Sequence, residues 1–186
     1  LAGPAGVSLL RPSAAEDVNA FAVTHAFADA QRVRTLSQLA TWSQSNPLRL
    51  GGPDECPERP FCQPGLERVY GMRVAEFVPL DAGGPLTRIA LNDGTIDVGL
   101  VFSSDAGVAQ EGLVVLADDR RLQTVDSIVP AVSTKALTST ITRALDRVSR
   151  ALTTATLTEL NRQVEFERRT PREVARDFLR REGISR

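Results

Sequence analysis

Both cysteines of the chain, Cys56 and Cys62, fall in one short stretch, GGPDECPERPFCQPGL (51–66), with Arg59 between them and prolines around it. Zinc calls for about four ligands. The only further soft donor is His25, distant in sequence, and the cysteines stand wider apart than in a metal knuckle. A catalytic thiolate would want a histidine base and an electropositive pocket, whereas His25 falls in THAFADAQR, which reads as a surface helix. A disulfide fits the pair better. Loop-closure entropy gives so short a bridge only about 2 kcal/mol, so its larger use would be to stiffen the loop that carries Arg59. A persistent bridge implies an oxidising, extracytoplasmic compartment. Two reduced, buried cysteines in a cytosolic protein are the alternative.

An arginine held in a stiff loop can grip a carboxylate through two parallel hydrogen bonds. Two more stretches offer polar groups: DAGGPLTR (81–88), with Thr87 and Arg88, and SSD (103–105) after DVGLVF. The helix that opens after Gly84 could present backbone N–H groups to an anion. Ser103, Ser104 and Asp105 could exchange hydrogen bonds with a polar solute. Plainer alternatives stand beside these: Arg59 could pair with Glu55 or Glu58, and Asp105 could cap a helix. No phosphate loop, no GxSxG serine and no paired-histidine motif is present, and no nucleophile stands beside a base. The residues therefore predict binding without catalysis, and neither a metal nor a cofactor.

The elements that must position these groups follow from patterning. NAFAVT (19–24), LRLGG (48–52), VAEFVPL (74–80), TIDVGLVFSSD (95–105), GLVVLADD (112–119) and SIVPAVS (127–133) read as strands. Helices are predicted over 26–34, from TLSQLATW (35–42) with Ser37 as a cap, and over GLERVYGM (65–72). A further helix has Pro85 in its first turn and Gly94 at its end. Strands alternating with short helices mean an α/β fold with a largely parallel sheet. In such sheets ligands sit beyond the strands' carboxyl ends, and the three polar stretches all follow strands. From Thr134 on, only helices are predicted. Leu137, Ile141, Ala144, Leu145, Val148 and Leu152 share one face, and Leu157, Leu160 and Val164 mark the next helix. TPRE (170–173) is a capping box ahead of Val174, Phe178 and Leu179, and Gly183 is the stop. The arginines and glutamates of this last stretch read as a solvated face.

Composition sets bounds on partners. The 186 residues, 42% of them hydrophobic, suffice for one domain or two small lobes. A net charge of −1 gives no footprint for nucleic acid. No apolar run of about 18 residues and no signal peptide is present. The chain begins at Leu1 rather than Met, so further residues upstream are expected. Lys135 is the only lysine among 22 basic residues, a bias that fits a high-GC genome.

NAFAVT, GGPDECPERPFCQPGLERVYGM, LNDGTIDVGLVFSSDAGV, LVVLADD, LTELNRQVE and VARDFLRREGI occur in an order and spacing that give the chain its likeness. It resembles the substrate-binding proteins of ABC importers for osmoprotectants, the glycine betaine/choline family, along nearly its whole length. The resemblance implies a type II periplasmic-binding-protein fold, in which two α/β lobes with parallel or mixed sheets clamp a solute at a hinge. Residues 1–18 would be a remnant of lobe one and the first crossover, and 19–118 lobe two. Residues 119–186 would be the second crossover and the C-terminal helical part of lobe one. The family carries more of lobe one upstream. That lobe is therefore expected to be incomplete here, with exposed apolar faces that favour oligomerisation.

The resemblance adds Asn19 and Phe102 to the residues already singled out, so the expected ligand set is Asn19, Arg59, Thr87, Arg88, Phe102, Ser103 and Asp105. Arg59 matches the arginine that grips the ligand's carboxylate. Asn19 and Arg88 stand where the family has tyrosines of an aromatic cage that holds quaternary ammonium by cation–π attraction. Phe102 fills a third such position, and Tyr70 reads as helix packing. Arg88 would repel a quaternary ammonium, which favours a more polar or anionic solute. The function implied is solute capture for an ABC importer, with a sensory or regulatory domain using the same clamp as the alternative. Its partners would be a small zwitterionic or anionic solute and permease subunits, not nucleic acid. The location would be extracytoplasmic, with membrane association only through the permease or a lipid anchor on upstream sequence.

Overall fold

The structure is a computed structural model that describes residues 6–185; the first five residues of the 1–18 span, and Arg186, lie outside the described residues. In chain order its strands are β1 (Val7–Leu9), β2 (Asn19–Thr24), β3 (Leu48–Gly52), β4 (Val74–Pro79), β5 (Val98–Phe102), β6 (Leu113–Val115) and β7 (Ala131–Ser133). The helices are α1 (His25–Gln31), α2 (Leu36–Ser43), α3 (Gln63–Gly65), α4 (Pro85–Asn92), α5 (Gly107–Gln110), α6 (Ser139–Ala151), α7 (Thr154–Glu165) and α8 (Pro171–Arg181). Two compact units result. One runs from Val18 to Thr124; the other combines the chain up to Asp17 with the chain from Val125 onward.

The Val18–Thr124 unit is built on a five-stranded sheet of order β4-β3-β5-β2-β6. β3 pairs in parallel with β4 and with β5, while β2 is antiparallel to β5 and to β6. The sheet is thus mixed, where the alternating pattern predicts a largely parallel one. β3, β4 and β5 are joined by helical crossovers, which parallel pairing requires. β2 enters from the other unit and is the one strand that runs in reverse. Alternation along the strands divides the core. Phe21, Val23, Val98 and Leu100 join Leu36, Leu39, Leu48, Leu50 and Leu66 on one face. Ala22 and Val101 join Leu91, Ile96, Val108 and Leu113 on the other.

Local chemistry sets the element ends. Thr35, not Ser37, caps α2: its hydroxyl and the Gln38 side chain form a capping box, and the Ser37 amide goes to Asp119 instead. GLERVYGM is not one regular helix. α3 passes into a single wide turn over Leu66–Tyr70, which Gly71 ends at φ 68°. The 95–105, 112–119 and 127–133 stretches narrow to β5, β6 and β7. The sheet unit extends past residue 118, because Leu122 is buried in its core and Asp118 accepts from the Leu122 and Gln123 amides. The Tyr70 hydroxyl also donates to Asp118 and accepts from the Arg120 amide.

In the other unit, β1 and β7 form an antiparallel ribbon. Thr138, Thr153 and Thr170 cap α6, α7 and α8, the last through the Thr170/Glu173 box legible in TPRE. Val174 and Phe178 are buried beneath α8. The apolar stripe of α6 is only partly covered among the described residues: Ile141 is 36% exposed, and Leu145, Val148 and Leu152 are half-buried. Both large buried clusters lie in the sheet unit, so local stability should differ between the units. Amide exchange on this 186-residue chain should show β3 and β5 among the slowest segments and α6 exchanging roughly a hundredfold or more faster. Equal protection would contradict the burial pattern.

Candidate functional site

β3, β4 and β5 all run toward one edge of the sheet, and the amino end of β2 meets them there, with Asn19 paired to Phe102. Each parallel strand ends in one of the polar stretches. The strand ends are themselves tied, since the Leu80 amide after β4 donates to Gly52 O of β3 at 2.7 Å.

After β3 the chain enters the cysteine loop. Cys56 and Cys62 are bridged, with Cα atoms 5.2 Å apart and both side chains fully buried in the core. Backbone bonds tighten the loop: the Cys56 amide to Pro53 O at 2.8 Å, and the Cys62 amide to Arg59 O at 2.9 Å. Gln123 Nε2 holds it from outside by donating to Phe61 O. The backbone is therefore pinned to the core, while the Arg59 side chain stays 43% exposed and faces Glu55 at 3.5 Å. That pair is the plainer alternative for Arg59. Exposed pairs of this kind contribute little and are screened by salt, so the guanidinium can exchange Glu55 for another carboxylate. Phe61, two residues after Arg59 in the same loop and 42% exposed, is an apolar surface absent from the implied ligand set. An aromatic between an arginine and a bridged cysteine was the available signal.

After β4, Asp81 organises the turn. Its carboxylate accepts from the Gly84, Leu86 and Thr87 amides and from the Thr87 hydroxyl, at 2.7–3.1 Å. The N–H groups that open α4, predicted to be free for an anion, are taken by this carboxylate, which corrects that expectation. Thr87 is fully buried and engaged with Asp81. Burial alone would raise the Asp81 carboxyl, but the Thr87 hydroxyl and the three amides outweigh it and leave the group below its ordinary value. Gly83, at φ 73°, lets the turn lie against Val101 and the Phe102 ring, where a Cβ would stand 3.0 Å from backbone.

After β5, Phe102 is half-buried. Ser103 grips the chain entering β2: its amide donates to Val18 O at 2.9 Å, and its hydroxyl accepts from the Val18 amide at 3.1 Å. Asp105 accepts from the Gly107 amide at 2.7 Å in a tight local turn ahead of α5; it is not the N-cap of that helix, a position that Ala106 holds. Arg88 is 3% exposed. Its Nε donates to Glu111 at 3.0 Å, and its Nη1 to Gly83 O at 3.2 Å and to Asp105 at 3.3 Å. This overturns the argument that Arg88 repels a quaternary ammonium, because the guanidinium is buried between two carboxylates. Asp81, Asp105 and Glu111 are three carboxylates against this one guanidinium, so these turns are formally anionic.

Of the seven residues in the implied set, Asn19, Arg59 and Phe102 therefore have side chains at least partly open at this edge. Thr87, Arg88, Ser103 and Asp105 are engaged in holding its turns. Tyr70 is buried, as read from VYGM. Trp42 packs edge-on to Phe27 and donates to Gln31. The described residues contain no cluster of His, Cys, Asp and Glu fit for a metal ion, and no helix among them is long and apolar enough to cross a membrane.

A sheet unit of this topology, with polar turns along one edge, belongs to the type II periplasmic-binding-protein-like substrate-binding proteins, as its structural neighbours show. A family model described as the substrate binding domain of ABC-type glycine betaine transport systems matches residues 1–181, and the chain belongs to that family. The glycine betaine-binding protein YehZ of Escherichia coli (strain K12) is 24% identical over 182 residues, which cover 94% of this chain and 60% of YehZ. The chain thus spans about 60% of that relative's length. A solved glycine betaine/carnitine/choline ABC transporter structure shares 26% identity at a TM-score of 0.78, over 97% of this chain and 66% of the other. Lactococcal OpuAC, closed on glycine betaine, shares 20% identity at a TM-score of 0.63, over 95% of this chain and 68% of its own. It supports the fold alone. The family is one of transport proteins rather than enzymes, and substrate-binding proteins of ABC importers are extracytoplasmic.

The Asp81 cap carries a pH signature. A depressed folded-state value means that its contribution is fully present above the unfolded value of about 3.9 and is lost as pH falls through the folded one. Asp81→Asn keeps an acceptor but removes the charge, so it should cost about 1 kcal/mol at pH 7, roughly the excess of charge-assisted over neutral hydrogen bonds, and the gap to the parent should close in strong acid. Thermal unfolding from pH 7 to pH 2 measures this; a gap that persists unchanged at pH 2 would contradict it.

Proposed function

We propose that this chain is the solute-binding part of an ABC importer and captures a small zwitterionic solute of the betaine type by lobe closure. The observation that carries the reading is the half-exposed Arg59 guanidinium, held on a bridged loop at the same sheet edge as Asn19 and Phe102. Arg59 takes the solute's carboxylate in place of Glu55. The cationic end lies toward Phe102, where ring attraction and the anionic turns beyond β4 and β5 favour it. Thr87, Ser103 and Asp105 support the edge from behind. No chemistry is performed on the solute. Family membership supports permease subunits as the partners, and the buried disulfide supports an extracytoplasmic location. The family is one of transport, which leaves the sensory alternative without support.

A charge-assisted hydrogen bond is worth about 1.5–3 kcal/mol. Arg59→Ala in the intact protein should therefore weaken glycine betaine binding roughly ten- to a hundredfold with the fold retained. Arg59→Lys should recover only part of the loss, because lysine lacks the planar fork. Calorimetry on the three proteins checks this. Unchanged affinity in Arg59→Ala would mean that Arg59 merely pairs with Glu55.

A further inference from the structure

Arg88 is the most deeply buried charged side chain at the solute edge, and its partners come from three places. From α4 it reaches back to the carbonyl of Gly83 in the turn after β4, at 3.2 Å. It reaches across to Asp105 in the turn after β5, at 3.3 and 3.4 Å to the two carboxylate oxygens. It reaches onward to Glu111, just beyond α5, at 3.0 Å. The residues around it are arranged to admit it. A Cβ on Gly107 would collide with the guanidinium, so that position is kept bare. The clasped turns also meet at Phe102: Gly83 lies against its ring and backbone nitrogen, and the Asp105 amide donates to its carbonyl at 3.0 Å.

We infer that Arg88 is a positioning residue, a buried clasp that fixes the turns after β4 and β5 against each other and so sets where Phe102 and Asn19 stand, without touching the solute. A buried ion pair adds little stability over well-packed apolar side chains. What a planar guanidinium supplies is direction: it can bond several acceptors at once in fixed geometry. Here those acceptors are a main-chain carbonyl and two carboxylates on separate segments, so one side chain removes the freedom of the turns relative to each other. A site held in this way needs no reordering when it binds.

The test has two arms. The first is hydrogen exchange on the intact protein without solute, which does not depend on what the solute is. In Arg88→Met the Gly84, Asp105 and Gly107 amides should exchange roughly tenfold or more faster, with β3 and β5 unchanged. Arg88→Lys should recover part of the protection. Gly107→Ala should reproduce the loosening with every charge in place, which keeps the test decisive if Arg88→Met fails to fold. The second arm rests on the solute reading above and compares glycine betaine with choline, which lacks a carboxylate. A clasp predicts that both affinities fall together, by roughly tenfold. A loss confined to glycine betaine would make Arg88 a direct carboxylate contact and overturn the inference. Unchanged exchange and affinity with only a lowered melting temperature would also overturn it, leaving a purely structural pair. If neither probe binds the parent protein, it is the solute reading that fails, and the exchange arm still decides the clasp.

Discussion

Parallel pairing of β3 with both β4 and β5 is the constraint on which the rest of the site depends. It sends three strand ends to one side, and the polar stretches that follow them have nowhere else to go. β2, inserted in reverse between β5 and β6, brings Asn19 to the same edge. Every later feature of the site adjusts this edge. The Leu80–Gly52 bond joins two of the strand ends, the disulfide pins the loop beyond β3 to the core, and Asp81 closes the turn beyond β4.

The charges at the edge divide into an open pole and a closed one. Arg59 is accessible and weakly paired, which suits a group that must exchange partners. Asp81, Asp105, Glu111 and Arg88 are engaged in hydrogen bonds that hold the turns. Their excess of carboxylates acts through the field they leave at the surface and not through contact. In the pose proposed above, a zwitterion with its carboxylate at Arg59 and its cationic end near these turns would meet a complementary charge at each end. The same arrangement removes the objection that an arginine stands in a cage position, since that arginine is spent inside the fold.

Much of this was legible in the sequence, and the exceptions have physical reasons. NAFAVT and DVGLVF announce strands through apolar, β-rich runs, and TPRE announces its helix because caps are local. The cysteine pair was legible because so few other roles were open to it. α4 misleads, because it buries Thr87 and Arg88 while Leu86 and Ile89 stand more than half exposed. A hydropathy pattern would turn it the other way. What turns it are Asp105 and Glu111, which lie 17 and 23 residues away in sequence and cannot be read from the helix itself. The Asp81 cap was within reach, since it bonds only three to six residues ahead. In DAGGPLTR the glycines and proline suggest an open anion site, whereas Asp81 of the same turn fills it.

The central claim is that the carboxyl edge of the five-stranded sheet meets the solute. The most direct test is a titration of the isotope-labelled intact protein with glycine betaine, followed by the chemical shifts of its backbone amides. The account predicts that the shifts concentrate at residues 59–62, 83–84 and 102–105, while the opposite edge, at residues 43–46 and 73–75, stays still. Shifts centred on the opposite edge, with the cysteine loop unmoved, would contradict it.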